Sequence, residues 1–160
     1  MTQKNFAGLL KAAVVLALLC CAAIYALYVP AVANDARDAA ADYSALYWPA
    51  LVFIELTAVP ILWALVLAWL VASEIGRNNS FCRANAARLK TISLLALADV
   101  AYFWLGILVF WFGFNAKSGP MLLLSVMVGT AGIIFAVCAG ALSHLTLKAA
   151  ALREENDLTV

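Results

Sequence analysis

Four times the chain enters an apolar stretch long enough to cross a bilayer, and no soluble fold accommodates that. The first, Ala12 to Val29, runs 18 residues without a charge. At about 1.5 Å per helical residue it just spans a hydrocarbon layer of about 30 Å. The second, Ala45 to Val71, holds one charge, Glu55, together with Thr57 and Pro60. The third, Thr91 to Phe114, holds only Asp99, and the fourth, Met121 to Leu147, holds no Asp, Glu, Lys or Arg. Lipid tails offer no hydrogen bonds, so every backbone N–H and C=O in such a stretch needs a partner in the chain, and each stretch is a helix. The chain is 67% hydrophobic and 12% charged, against about half and a quarter in soluble domains. The bilayer is its natural solvent.

The fold expected is therefore an all-α membrane protein, with four transmembrane helices in two hairpins making a single domain over residues 1–160. The spans lie at about 9–29, 45–72, 91–114 and 121–147, with a connector at 74–90 and a tail at 148–160. Pro30 is expected to end the first span, and Asn34 to Ser44 to form a short acidic loop with Asp35, Asp38 and Asp42 against Arg37. Tyr25 and Tyr28 sit where an aromatic belt would anchor the outer end. Pro60 leaves the Leu56 carbonyl without an N–H partner and is a specific cause for a kink. The turn from Asn115 to Pro120 joins the last two spans. A basic start, an apolar run and Ala31-Val32-Ala33 also match a cleavable signal peptide. The run is long for such a signal, so the first span is read as retained, with cleavage after Ala33 the alternative.

The connector, Ile75 to Lys90, is the only long polar break, and it carries Arg77, Arg83, Arg88 and Lys90, with Glu74 just before it. With the N-terminus, connector and tail on one side, that side holds Lys4, Lys11, Arg77, Arg83, Arg88, Lys90, Lys148 and Arg153. The other side holds Arg37 and Lys117. Positive loops stay inside, so both termini are expected in the cytosol of a multi-pass protein of the bacterial cytoplasmic membrane. Ser80 is placed to cap a helix beginning in the connector and running into the third span. The basic patch attracts anionic lipid. It also faces the opposite charges of Glu154, Glu155 and Asp157 in the tail, an exposed pairing that a partner could displace.

Glu55 and Asp99 are the notable intramembrane groups. An ionised carboxylate at that depth costs about 2.5–3.5 kcal/mol on insertion scales. Helical rise puts both near one level, about 12–15 Å into their spans. Two readings stand: a proton or cation site, or protonated carboxyls hydrogen-bonded to a neighbouring helix, for example at the carbonyl freed by Pro60. In the fourth span Ser125, Gly129, Gly132, Ala136, Ala139, Gly140 and Ser143 share one face of small residues, which lets helix backbones approach closely. That face packs within the chain or forms the seam of a homo-oligomer.

Other chemistry finds no foothold. No nucleophile–base arrangement, phosphate loop, dinucleotide fingerprint or metal spacing appears, so neither an enzyme nor a cofactor is expected. Cys20, Cys21, Cys82 and Cys138 form no ligand or disulfide pattern and read as free thiols. His144 is the only histidine, which excludes a monomeric bis-histidine cytochrome. A net charge of +1 gives no field for direct nucleic-acid binding.

Ser80-Phe81 followed by Asn85 and Leu89 after a glycine-containing loop, and the ending Leu152 to Val160, carry a resemblance. With four spans in this length, the chain resembles the bacterial domain-of-unknown-function 2975 family of small membrane proteins. Members often have proline before the connector phenylalanine; here Ser80 stands there. The resemblance implies a membrane partner of a small helix-turn-helix DNA-binding protein, held at the cytosolic face. Arg77, Ser80, Phe81, Arg83, Asn85, Arg88, Lys90, Glu154, Glu155, Asn156 and Asp157 provide the surface for it. Two alternatives remain: a small oligomeric proton-coupled transporter built on Glu55 and Asp99, and a structural subunit of a membrane complex using the small-residue face.

Overall fold

The structure, a computed structural model, describes residues 3–39, 46–114 and 119–158. The expected turn at 115–118 with Lys117, Asp42, and Thr159 and Val160 lie outside the described residues, as do the side chains of Asp38 and Asp157. Helix α1 (Gln3–Ala23) passes through one π-turn (Ile24–Tyr28) into α2 (Val29–Ala39). Then come α3 (Tyr47–Gly76), α4 (Arg83–Gly113) and α5 (Gly119–Leu158), with no strand among the described residues. Among the described residues, four helical segments are long and apolar enough to cross a membrane: Gln3–Asp35, Tyr47–Gly76, Arg83–Gly113 and Leu122–Asn156.

Pro30 does not end the first span. The helix carries on to Ala39, and residues 34–39, expected as loop, are helical. The π-turn just before the proline is the reason: the Val29 N–H bonds to the Ile24 carbonyl, five residues back. That extra residue in the turn opens the helix where the proline ring would otherwise crowd the carbonyl four residues earlier. Pro60 likewise stays inside a continuous α3.

The helices pack in chain order. α1 lies on α3, α3 on α4, and α4 on α5, while α5 makes no extended contact with α1 or α3 among the described residues. The result is an open antiparallel row rather than a closed bundle. Most side chains on its two sides are apolar and exposed, as lipid-facing groups are; Leu105, Phe112, Leu123 and Phe135 are examples.

The largest contact is α4 on α5. On α5 the buried positions are Ser125, Gly129, Ala136, Ala139, Ser143, Thr146 and Ala150, with Gly132 half-buried between them. Their spacing alternates four and three residues, a strict seven-residue repeat. A β-carbon at Gly129 would run into the Trp104 indole, and one at Gly132 into Val100. Serines tie the seam: Ser93 Oγ donates to the Ala136 carbonyl at 2.7 Å, and Ser143 Oγ to the Ala86 carbonyl at 2.7 Å. The small-residue face is thus consumed inside the chain. On the other side of α4, Gly106 leaves room for the Phe53 ring, which also lies 4.9 Å from the Tyr102 ring. α1 meets α3 where Ala7 touches Gly76 and where Lys11 Nζ sits 5.1 Å from the Trp69 ring.

α5 has 40 residues, about 60 Å of helix. That is about twice the hydrocarbon thickness, so its last turns, including the expected tail from Lys148, stand clear of the membrane as helix.

Gly132→Leu is expected to cost about 1–3 kcal/mol by overpacking the seam. Ile134→Leu, on the exposed side of the same helix, should leave the thermal unfolding midpoint in detergent unchanged. Equal losses at the two positions would mean the seam is not what holds α5.

Candidate functional site

The connector end is built by two helix termini. α3 closes in a double-bonded cap: the Asn79 N–H reaches the Glu74 carbonyl and the Asn78 N–H the Ile75 carbonyl, both at 3.1 Å. This is the Schellman pattern, which needs a left-handed residue after the helix. Asn78 supplies it with φ 58°; asparagine tolerates that region better than most residues. Gly76, the glycine of the connector, stays helical and serves close packing instead.

α4 does not begin with a Ser80 cap. Cys82 occupies the capping position and makes no side-chain bond there. Asn85, three residues further on, turns back instead: its Nδ2 donates to the Ser80 carbonyl at 3.1 Å and to the Asn79 carbonyl at 3.4 Å. The loop between the helices is wrapped over this side chain, which is 1% exposed. Arg88 Nη1 donates to Asn85 Oδ1 at 3.0 Å and lies 4.0 Å from Glu74 Oε1. Glu74 also accepts from Asn79 Nδ2 at 3.4 Å and faces Arg77 at 3.8 Å. Glu74, a mere flanking acid in the sequence, thus links α3 to α4 and the loop.

The sequence pairing of connector and tail has a concrete form. Arg83 Nε donates to Glu154 Oε1 at 2.9 Å and Arg83 Nη2 to Glu154 Oε2 at 2.7 Å, a two-pronged bond. The side chains are 68% and 52% exposed. Arg83's hydrogen bonds hold the Glu154 carboxyl below the ordinary carboxylate range, and Glu154 raises Arg83 in return. Phe81, Lys90, Glu155 and Asn156 are exposed at the same end.

The second polar level lies inside the membrane. Tyr25 Oη sits 2.7 Å from Thr57 Oγ1. Thr57 donates its own proton to the Ile54 carbonyl at 2.7 Å, so Tyr25 is the donor. Tyr25 is within electrostatic reach of both Asp99 and Glu55, which joins groups from the π-turn, α3 and α4. Tyr25 is therefore an interior group rather than a belt residue. Its place about one turn deeper than Tyr28 was the signal available in the sequence. Asp99 and Glu55 are half-buried, and Asp99 Oδ1 is buried without a hydrogen-bond partner; it does not reach the carbonyl freed by Pro60. An apolar cavity of about 140 Å³ opens beside Tyr25, between Cys21 and Ala22 of α1 and Ala58, Ile61 and Leu62 of α3. His144 points outward near the connector end. All four cysteines are free, and no group of three metal-ligating side chains occurs among the described residues.

Comparison with known proteins gives two matches. The sequence model of the family described as "Protein of unknown function (DUF2975)" matches residues 31–160. The "Uncharacterized membrane protein YoaS" of Bacillus subtilis (strain 168) is 28% identical over 152 residues, which is 94% of this chain and 95% of that protein. No solved structure matches the chain.

Two outcomes check the connector end. Asn85→Ala takes their side-chain donor from the Asn79 and Ser80 carbonyls, leaves Arg88 with Glu74 alone, and should cost about 1–3 kcal/mol in unfolding. Glu154 is held below its ordinary range, so the clamp is complete at and above that range and fails as pH falls through the lowered value. Amide exchange over 152–158 should therefore accelerate in acid beyond its intrinsic pH dependence, and Arg83→Gln should remove that acid step.

Proposed function

The chain belongs to the DUF2975 family, and on that footing we propose that it is a non-enzymatic interaction protein of the bacterial cytoplasmic membrane. Both termini and the connector face the cytosol in this reading, supported by the eight Lys and Arg residues gathered at that end. The partner is a small helix-turn-helix DNA-binding protein, as the family resemblance implies. This chain itself does not touch nucleic acid. The observation that carries the reading is the exposed Arg83–Glu154 clamp. It joins the connector and the tail, the two stretches that carry the resemblance, into one surface.

The physics of that surface suits docking. Glu74, Arg88 and Asn85 fix the loop from below, so a partner meets a preformed shape. The clamp above them is solvent-exposed, and such pairs are readily exchanged for others of the same geometry. A partner carboxylate can replace Glu154 on Arg83, and a partner guanidinium can take Glu154. Of the other readings, the structural subunit loses the face it relied on, because the small residues of α5 are occupied by α4. The transporter reading keeps Glu55 and Asp99, but the apolar cavity beside Tyr25 is lined by neither of them.

Crosslinking from native membranes, with the full chain and with residues 154–160 removed, tests the proposal. A helix-turn-helix protein captured by the full chain and lost with the tail is the expected result. Capture that survives removal of the tail, or the absence of any DNA-binding protein among the captured species, would sink it.

A further inference from the structure

We propose that the flank of the helix row at Glu55 and Asp99 is a docking face for one transmembrane helix of another protein, carrying a lysine or arginine at mid-span. α1 and α4 both pack on α3 and make no extended contact with each other. Tyr25 is bonded to Thr57 and lies within electrostatic reach of Asp99 and Glu55. Both residues are half-buried.

Groups of this kind need a partner in lipid. Asp99 Oδ1 has none. The Tyr25 hydroxyl is committed to Thr57 and Thr57 to the Ile54 carbonyl. Among the described residues, the cations nearest in sequence to Tyr25 are turned elsewhere. Lys11 is 14 residues before Tyr25 and Arg37 is 12 after it, about 21 and 18 Å along the helix. Lys11 is turned to Trp69 and Arg37 to Tyr47. No Lys or Arg occurs within 45–71, 91–114 or 121–147. A second copy would therefore add carboxylates and no cation, which excludes self-pairing as the match. The complement is a basic side chain from a different chain, and a helix is the only element that delivers one to that depth with its backbone satisfied. A water-borne cation needs an enclosed polar passage instead. The row is open, and the cavity next to Tyr25 is lined by apolar side chains. This face is separate from the connector end, and the inference does not rest on the role proposed there.

The test uses the full chain in lipid nanodiscs and two probes: a leucine-rich transmembrane peptide with one central lysine, and its all-leucine counterpart. Energy transfer between labelled chain and peptide reads association. The lysine peptide should bind the wild type about tenfold more tightly than the leucine peptide, and Asp99→Asn should abolish the preference, with Glu55→Gln weakening it. The wild-type comparison needs no variant, so a folding failure does not blur it. Equal binding of the two peptides overturns the proposal, as does a preference that survives Asp99→Asn. Proton flux in liposomes that depends on Asp99, without any peptide preference, assigns the carboxylate to protons and overturns it too.

Discussion

Lipid tails are as apolar as leucine, so hiding leucine from them gains nothing, and helices in a bilayer are held by how closely their backbones approach. In this chain that closeness is concentrated on one face of α5. From Ser125 to Ala150 every seam position is Gly, Ala, Ser or Thr. The seven-residue repeat lags a straight helix by about 20° per heptad, so the pair must wind left-handedly to stay in contact. Everything else takes its place from this seam. It sets the register in which Ser143 meets Ala86 and Arg83 meets Glu154. It also fixes α4, whose opposite side receives Phe53 at Gly106 and brings Asp99 towards α3 and α1.

The electrostatics of the connector end look wrong helix by helix. α4 begins with Arg83 and Arg88, and α5 ends with Glu154 and Glu155. A helix start favours acids and a helix end favours bases. The two ends lie side by side and antiparallel, so each carries the charge that the other's dipole prefers. Positive charge near the membrane also governs orientation, which explains why the bases sit at the start of α4 despite its dipole. The cost within each helix is offset across the pair, and the clamp is where that exchange is made.

The features legible in the sequence were those set by length and by side-chain type. The spans follow from the long apolar stretches, and the seam from the spacing of Gly129, Gly132 and Ala136. The features that escaped depend on backbone geometry or on a neighbour far along the chain. A proline predicts a lost hydrogen bond at Pro30, but not the π-turn that accommodates it. Ser80 is the better cap by type, yet buried Asn85 takes the loop carbonyls from three residues into the helix, and its burial is invisible until the loop is folded back over it. Tyr25 looks interfacial by type and becomes interior only because Thr57 stands opposite it.

The row divides along α4. Its contact with α5 is small-residue and tied by serine hydroxyls to backbone carbonyls, with its one titratable pair, Arg83 and Glu154, at the exposed end. Its other side, shared with α3 and reached by α1, holds the aromatic cluster around Phe53 and the polar level at Asp99. A substitution on one side leaves the partners of the other untouched, and sites without shared partners are close to independent in energy. The α4–α5 hairpin therefore behaves as a rigid post that carries the connector clamp. The α1–α3 pair leans on that post through the aromatic cluster, so the proposed pairing of Asp99 with a basic side chain concerns that side of α4 alone.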